Sequence, residues 1–292
     1  MKRAALLVNP VAGKGTSGAA VGAVHARLAA GELEVTRFQG ADGAEAADLA
    51  RQVVDEGYDL LVVMGGDGLV HLAIQALAGS PTALGLVPTG SGNDVARYLG
   101  IPLGKPLAAA DVICRQVTRT MDLGKAGSTY FATVLATGFD SLVNERANRL
   151  RWPHGQLRYH VATLAELRVF NPVTYTLEID GRRLLHDAML VAIGNGPSYG
   201  GGLRICEGAL LDDGLLDVVI IKPISKAELL AVYPRLMRGT HVRHPAYEHH
   251  RVRRVSVAAP GIVAYGDGER IGPLPLSVEC VQAALTVCVP SR

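Results

Sequence analysis

The chain has no paired-cysteine pattern, no long apolar run and almost no net charge, and each absence removes a class of protein. Its four cysteines, Cys114, Cys206, Cys280 and Cys288, stand far apart with no C-x-x-C pair among them. A chain of 292 residues does not need a disulfide framework, so these thiols read as ordinary buried side chains. No stretch reaches the ~18 uninterrupted apolar residues that a membrane-crossing helix needs. Met1-Lys2-Arg3 and the short apolar run at residues 4–8 imitate a signal peptide, but the run ends at Asn9-Pro10 without a small-residue cleavage site. Formal charge is only +2, from 29 Lys plus Arg against 27 Asp plus Glu. That balance argues against nucleic acid as a partner. Internal repeats and low-complexity segments are absent too.

What is present is apolar material in two different grammars. Hydrophobic residues make up 49% of the chain, enough for full cores, and the length predicts two domains. Through residue 122 short apolar runs alternate with helical patterns. Strands are expected at residues 4–8, 33–38, 60–64 and 84–87. Helices are expected at 20–30, with Val21, Val24 and Leu28 on one face, at 44–56, and after residue 68, carrying Leu72, Ala76 and Leu77. Such alternation predicts a parallel sheet with helices on both faces, a three-layer α/β domain. Later, strands dominate: 129–137, 173–179, 188–193, 215–221, 251–258, 262–265, 276–280 and 285–289. Helices are expected at 157–170 and after the capping box Ser225-Lys226-Ala227-Glu228. The expected domains are 1–124, α/β and nucleotide-binding, and 125–292, β-rich and sandwich-like, with a return of the last strand to the first domain left open.

Three glycine-containing turns follow strands of the first domain, at the sheet edge where ligands of open parallel sheets bind. Asn9-Pro10-Val11-Ala12-Gly13-Lys14-Gly15-Thr16 is not a Walker A loop, because Lys14 precedes glycine. Gly13, Gly15 and Gly18 match G-x-G-x-x-G with Glu34 as a candidate ribose acid, a weak signal on its own. Gly65-Gly66-Asp67-Gly68 sets a carboxylate where phosphates would sit, and two anions together need a cation, hence Mg2+; the competing reading is Asp67 as a helix cap. Pro88-Thr89-Gly90-Ser91-Gly92-Asn93-Asp94 offers Ser91 and Asn93 either to phosphate and ribose oxygens or to the following helix. In the second half, Asp267 and Glu269 stand two apart, so an extended segment would project both from one face; a hairpin turn is the competing reading.

Asn-Pro-x-x-Gly, Gly-Gly-Asp-Gly and Gly-Ser-Gly-Asn-Asp, in this order, resemble the catalytic domain of the diacylglycerol and sphingosine kinase family. Asp122-Leu123-Gly124-Lys125, Gly194-Asn195-Gly196, Tyr199-Gly200-Gly201-Gly202, Asp213-Gly214-Leu215-Leu216-Asp217 and Asp267-Gly268-Glu269 extend the resemblance over the whole chain. It implies an ATP-dependent lipid kinase acting between its two domains, with diacylglycerol the leading substrate and phosphatidic acid the product. By matching position, Asn9, Pro10, Val11, Ala12 and Gly13 would hold ATP, with Gly65, Gly66, Asp67, Gly68, Leu69, Val70, His71 and Ser91. Asp67 and Asp122 would join a catalytic Mg2+ network. Glu269 would be the general base, with Asp267 beside it. Leu210, Asp213 and Leu215 would hold a structural Mg2+.

Such an enzyme would be cytoplasmic, visiting a lipid substrate at the inner face of the membrane through peripheral contact. The stretch 235–254, rich in Arg and His, offers itself for that contact or as a solvated loop; a homodimer is left open. Leu69 and His71 resemble the sphingosine and ceramide kinase branch, which keeps a sphingoid or ceramide-type substrate in play. An NAD-kinase-like enzyme on a soluble substrate and a non-catalytic nucleotide-binding regulator stay open as well.

Overall fold

A computed structural model describes residues 1–8, 18–138 and 171–291. The chain divides into two units, Met1–Leu123 with Gln282–Arg292, and Gly124–Val281. Residues 282–292 are thus grouped with the first unit.

The first unit is built on parallel strands β1 (Lys2–Val8), β2 (Leu33–Gln39), β3 (Leu60–Gly65) and β4 (Ala83–Pro88). Their order is β2-β1-β3-β4, with Val8 level with Met64 across the β1–β3 ladder. Residues 4–8 and all of β3 are buried, the continuous apolar run of a strand covered on both faces. Helices α1 (Gly18–Ala30), α2 (Gly43–Asp55), α3 (Asp67–Leu77), α4 (Asp94–Tyr98) and α5 (Pro106–Cys114) supply the cover, α2 against α3 and α1 against α5. Val21, Val24 and Leu28 are buried, as α1's spacing predicts. On α3 the buried stripe is Leu69, Val70, Ala73, Ile74 and Leu77, while Leu72 and Ala76 are half-buried.

In the second unit, strands β5 (Thr118–Ala126), shared with the first, β6 (Thr129–Phe131) and β7 (Val134–Gly138) are followed by β8 (Val173–Ile179), β9 (Arg182–Ala188), β10 (Leu190–Gly194) and β11 (Leu216–Ile221). Helix α6 (Lys226–Leu236) and a 3-10 turn (Thr240–Arg243) precede β12 (Tyr247–Val252), β13 (Arg254–Ala258), β14 (Val263–Gly266), β15 (Glu269–Pro273) and β16 (Leu276–Cys288). One antiparallel sheet has the order β12-β11-β10-β7-β14-β15. Facing it are β9, β8, β13 and the start of β16, with Leu135, Val191, Val218, Leu177, Val257 and Val278 between the layers. The six-stranded sheet is apolar on its outer face as well, where Met189, Ala192 and Val219 pack beneath Ile205, Cys206 and Leu229 of α6. That double cover explains why β7, β10 and β11 are buried at every position. Ser225 and Glu228 form the expected capping box of α6. The helix expected at 157–170 lies outside the described residues.

Candidate active site

In the first unit the strand order reverses between β1 and β3, and a crevice at the carboxyl ends of such strands is where this sheet type binds ligands. The loop after β1 carries Asn9, Pro10, Val11, Ala12 and Gly13, all outside the described residues. The other two glycine turns are fully placed, and they are fastened to one another. Thr89 donates its N–H to Gly65 O at 2.9 Å. Asp67 is the first residue of α3. Its carboxylate crosses to the neighbouring turn, where Oδ2 accepts from Asn93 N at 2.6 Å and Oδ1 from Asp94 N at 2.8 Å. Asn93 is left-handed (φ 56°, ψ 47°) and caps α4 through its backbone. Its side chain closes the turn upon itself, accepting from Gly90 N at 3.0 Å and donating to Gly90 O at 2.6 Å.

The glycines permit this closeness. A Cβ on Gly90 would lie 2.5 Å from Gly66 Cα, backbone against backbone. A small hollow remains, lined by Gly65, Gly66, Asp67, Pro88 and Asn93. Gly68 is partly open and Ser91 exposed, whereas Leu69, Val70 and His71 are buried on α3. Asp94, to which the sequence alone assigns no role, is only 4% exposed. Its signal in the sequence is its place at the end of the Gly-Ser-Gly-Asn-Asp motif.

Asp122 is buried within the first unit, and its Oδ1 accepts from Ala283 N at 2.7 Å. Ala283 has φ 48°, so the carboxylate secures a strained point in β16. Among the described residues no group of three or more His, Cys, Asp or Glu could hold a metal ion. Mg2+ usually takes one or two carboxylates and completes its shell with phosphates and water, and Asp67 brings a carboxylate to the linked turns.

In the second unit Asp267 and Gly268 are the two-residue turn between β14 and β15, with φ 54° and 88°, the pattern of a type I′ hairpin. The expectation that Asp267 and Glu269 share a face therefore fails, because period-2 alternation does not pass through a turn. Asp267 points inward. Its Oδ2 accepts from Ala132 N at 2.8 Å, and its Oδ1 accepts from Thr133 N at 2.8 Å and Thr133 Oγ1 at 2.6 Å. Asn195 holds the same corner from the other side, donating Nδ2 to Ala132 O at 2.9 Å and its own N–H to Thr133 O at 2.8 Å. Glu269 is exposed and makes no side-chain hydrogen bond or ion pair among the described residues.

Asp213 accepts from Leu215 N at 3.0 Å and is ion-paired with Arg251, while Leu210 is exposed. Leu210, Asp213 and Leu215 thus lie in one turn, which an ion pair with Arg251 ties to β12. Arg251 also approaches Asp217, which is 2% exposed and lies 2.6 Å from His249 Nε2.

Residues 3–126 match the diacylglycerol kinase catalytic domain, and residues 133–289 match the YegS C-terminal NAD kinase beta sandwich-like domain. A diacylglycerol kinase of Mycobacterium tuberculosis strain H37Rv is 43% identical over 290 residues, covering 97% of this chain and 94% of the relative. One from Bacillus subtilis strain 168 is 29% identical over 280 residues, covering 94% and 92%. The solved structure of a diacylglycerol kinase from Bacillus anthracis strain Sterne superposes with a TM-score of 0.77 at 20% identity, covering 99% of this chain and 97% of that one. At that identity the superposition shows the shared fold; the family follows from the sequence matches. The chain belongs to the diacylglycerol kinase family.

Proposed function

We propose that this chain transfers the γ-phosphate of ATP to a lipid hydroxyl, with diacylglycerol as the acceptor and phosphatidic acid as the product. The observation that carries this reading is the fastening of two glycine turns by the Asp67 carboxylate, at the switch point of the parallel sheet. Phosphoryl transfer is mostly positioning and charge neutralisation, and rigid glycine turns let backbone amides approach phosphates closely. The first unit is assigned the nucleotide, through residues 9–13, the Gly65–Gly68 turn and Ser91. Asp67 and Asp122 would hold Mg2+, which neutralises phosphate charge when bound.

The second unit is assigned the acceptor. Asp267 is occupied by the β6–β7 corner and so acts as a positioning residue. Glu269, exposed one residue beyond the turn, is the base that removes the acceptor's proton. The names of the curated relatives favour diacylglycerol. Leu69 and His71, the two positions that suggest a sphingoid substrate, are buried on α3, where they support the nucleotide turn rather than select a lipid.

The test is transfer of labelled γ-phosphate from Mg-ATP to diacylglycerol, monoacylglycerol, ceramide, sphingosine and phosphatidylglycerol in neutral detergent micelles. Label in phosphatidic acid alone is expected. Label in ceramide or sphingosine instead would replace the substrate, and none in any lipid with ATP still bound would return the soluble-substrate and regulator readings.

A further inference from the structure

The basic stretch 235–254 has no part in the phosphate or acceptor sites, and the structure sorts its members. His241 is 1% exposed, with Nε2 3.1 Å from Ile205 O. His244 faces Glu228 at 3.2 Å, His249 faces Asp217 at 2.6 Å and His250 faces Glu248 at 2.9 Å. Arg251 is held by Asp213. Internal carboxylates and carbonyls absorb these side chains.

Five arginines remain outward: Arg253 and Arg254 at the junction of β12 and β13, and three others grouped at α6. Arg235, Arg238 and Arg243 are exposed and make no side-chain hydrogen bond or ion pair among the described residues. They lie in the last turn of α6, the turn after it and the 3-10 turn that packs on α6. Between the first two, Met237 stands 51% exposed.

We propose that this turn is a docking surface for anionic phospholipid, seating the enzyme on the bilayer that contains its acceptor. The inference rests on the lipid-kinase reading. A guanidinium pairs bidentately with a phosphodiester, and a bare methionine flanked by arginines can enter the acyl boundary while the charges stay among headgroups. With a net charge of +2, the molecule as a whole has little attraction for anions, so attraction must be local. An arginine near an anionic bilayer contributes about fivefold in binding, or ~100-fold for three.

The test is co-sedimentation of the full chain with phosphatidylcholine vesicles, with and without phosphatidylglycerol. Salt-sensitive binding only to the anionic vesicles is expected, with Arg235→Gln/Arg238→Gln/Arg243→Gln weakening it ~100-fold. A charge-matched control, Arg182→Gln/Arg183→Gln/Arg253→Gln, is expected to bind like the parent. Equal weakening in both triples, none in the first, or binding indifferent to phosphatidylglycerol would overturn the proposal. Transfer to diacylglycerol in neutral micelles separates the two readings: an active enzyme that ignores vesicles refutes only the docking surface, and an inactive one that docks refutes only the kinase assignment.

Discussion

Asp267 and Glu269 are neighbours with opposite surroundings, and the difference sets what their loss should do. The Glu269 side chain makes no hydrogen bond or ion pair among the described residues, so Glu269→Gln should leave folding and ATP affinity nearly intact. Removing a general base typically costs about 10²–10⁴-fold in rate. Calorimetric ATP titration alongside the micelle assay checks both halves, and transfer within a few-fold of the parent would retire Glu269 as the base. Asp267 accepts three hydrogen bonds from residues 132 and 133. Asp267→Ala should therefore destabilise the second unit by roughly 2–4 kcal/mol, since it strands donors that a charged acceptor had satisfied. A denaturant midpoint that does not move would show the corner is held by Asn195 alone. Asp67 admits two readings from sequence, cation ligand or helix cap. It does cap a helix, α4, through a long-range contact between residues 67 and 94 that no local pattern encodes.

At the scale of elements, the linked turns make a sharp demand on glycine. Gly90→Ala would set a Cβ 2.5 Å from Gly66 Cα, and backbone cannot yield as a side-chain tip can. The expected outcome is a tenfold or greater loss of ATP affinity with most of the fold retained, read by nucleotide titration and circular dichroism. The first unit's strands are legible because β1 and β3 are buried on both faces and so uniformly apolar. Breaks inside strands are less so. Residues 129–137 read as one strand but fold as β6 and β7, because Ala132-Thr133 turns a corner stabilised by Asp267, far along the chain. Likewise 251–258 divides at Arg253 between two sheets. Conversely, 276–280 and 285–289 read as two strands and form the single β16, which passes through the left-handed Ala283 because Asp122 holds its amide. The polar strand β9 gives no apolar signal to read: five of its seven residues are Arg, His, Asp or exposed Leu, the pattern of an edge. The motifs are legible as a set; which members face a ligand and which brace the fold is not, since that depends on partners tens of residues away.

For the whole molecule, buried polar groups give stability a dependence on pH. Burial, only partly offset by the hydrogen bond to Ile205 and the charge of Glu207, lowers the pKa of His241 below its ordinary 6.5. The unfolded chain then takes up a proton before the native one does. Its contribution is complete above about pH 6.5 and wanes as the pH falls toward the lowered native value. Urea unfolding between pH 7 and 5 should show this decline, and His241→Gln should flatten it. An unchanged slope in the variant would assign the acid sensitivity to other groups.

The division of β16 also bears on how the protein is made. A ribosome releases residues 1–123 long before it adds 282–292, yet the first unit includes both. Until the last segment emerges, β4 lacks its neighbour at Leu84 and the amide of Ala283 has not yet reached Asp122. The nascent first unit must therefore wait, with one sheet edge open, through the synthesis of more than half the chain. That interval is when it is most exposed to mispairing.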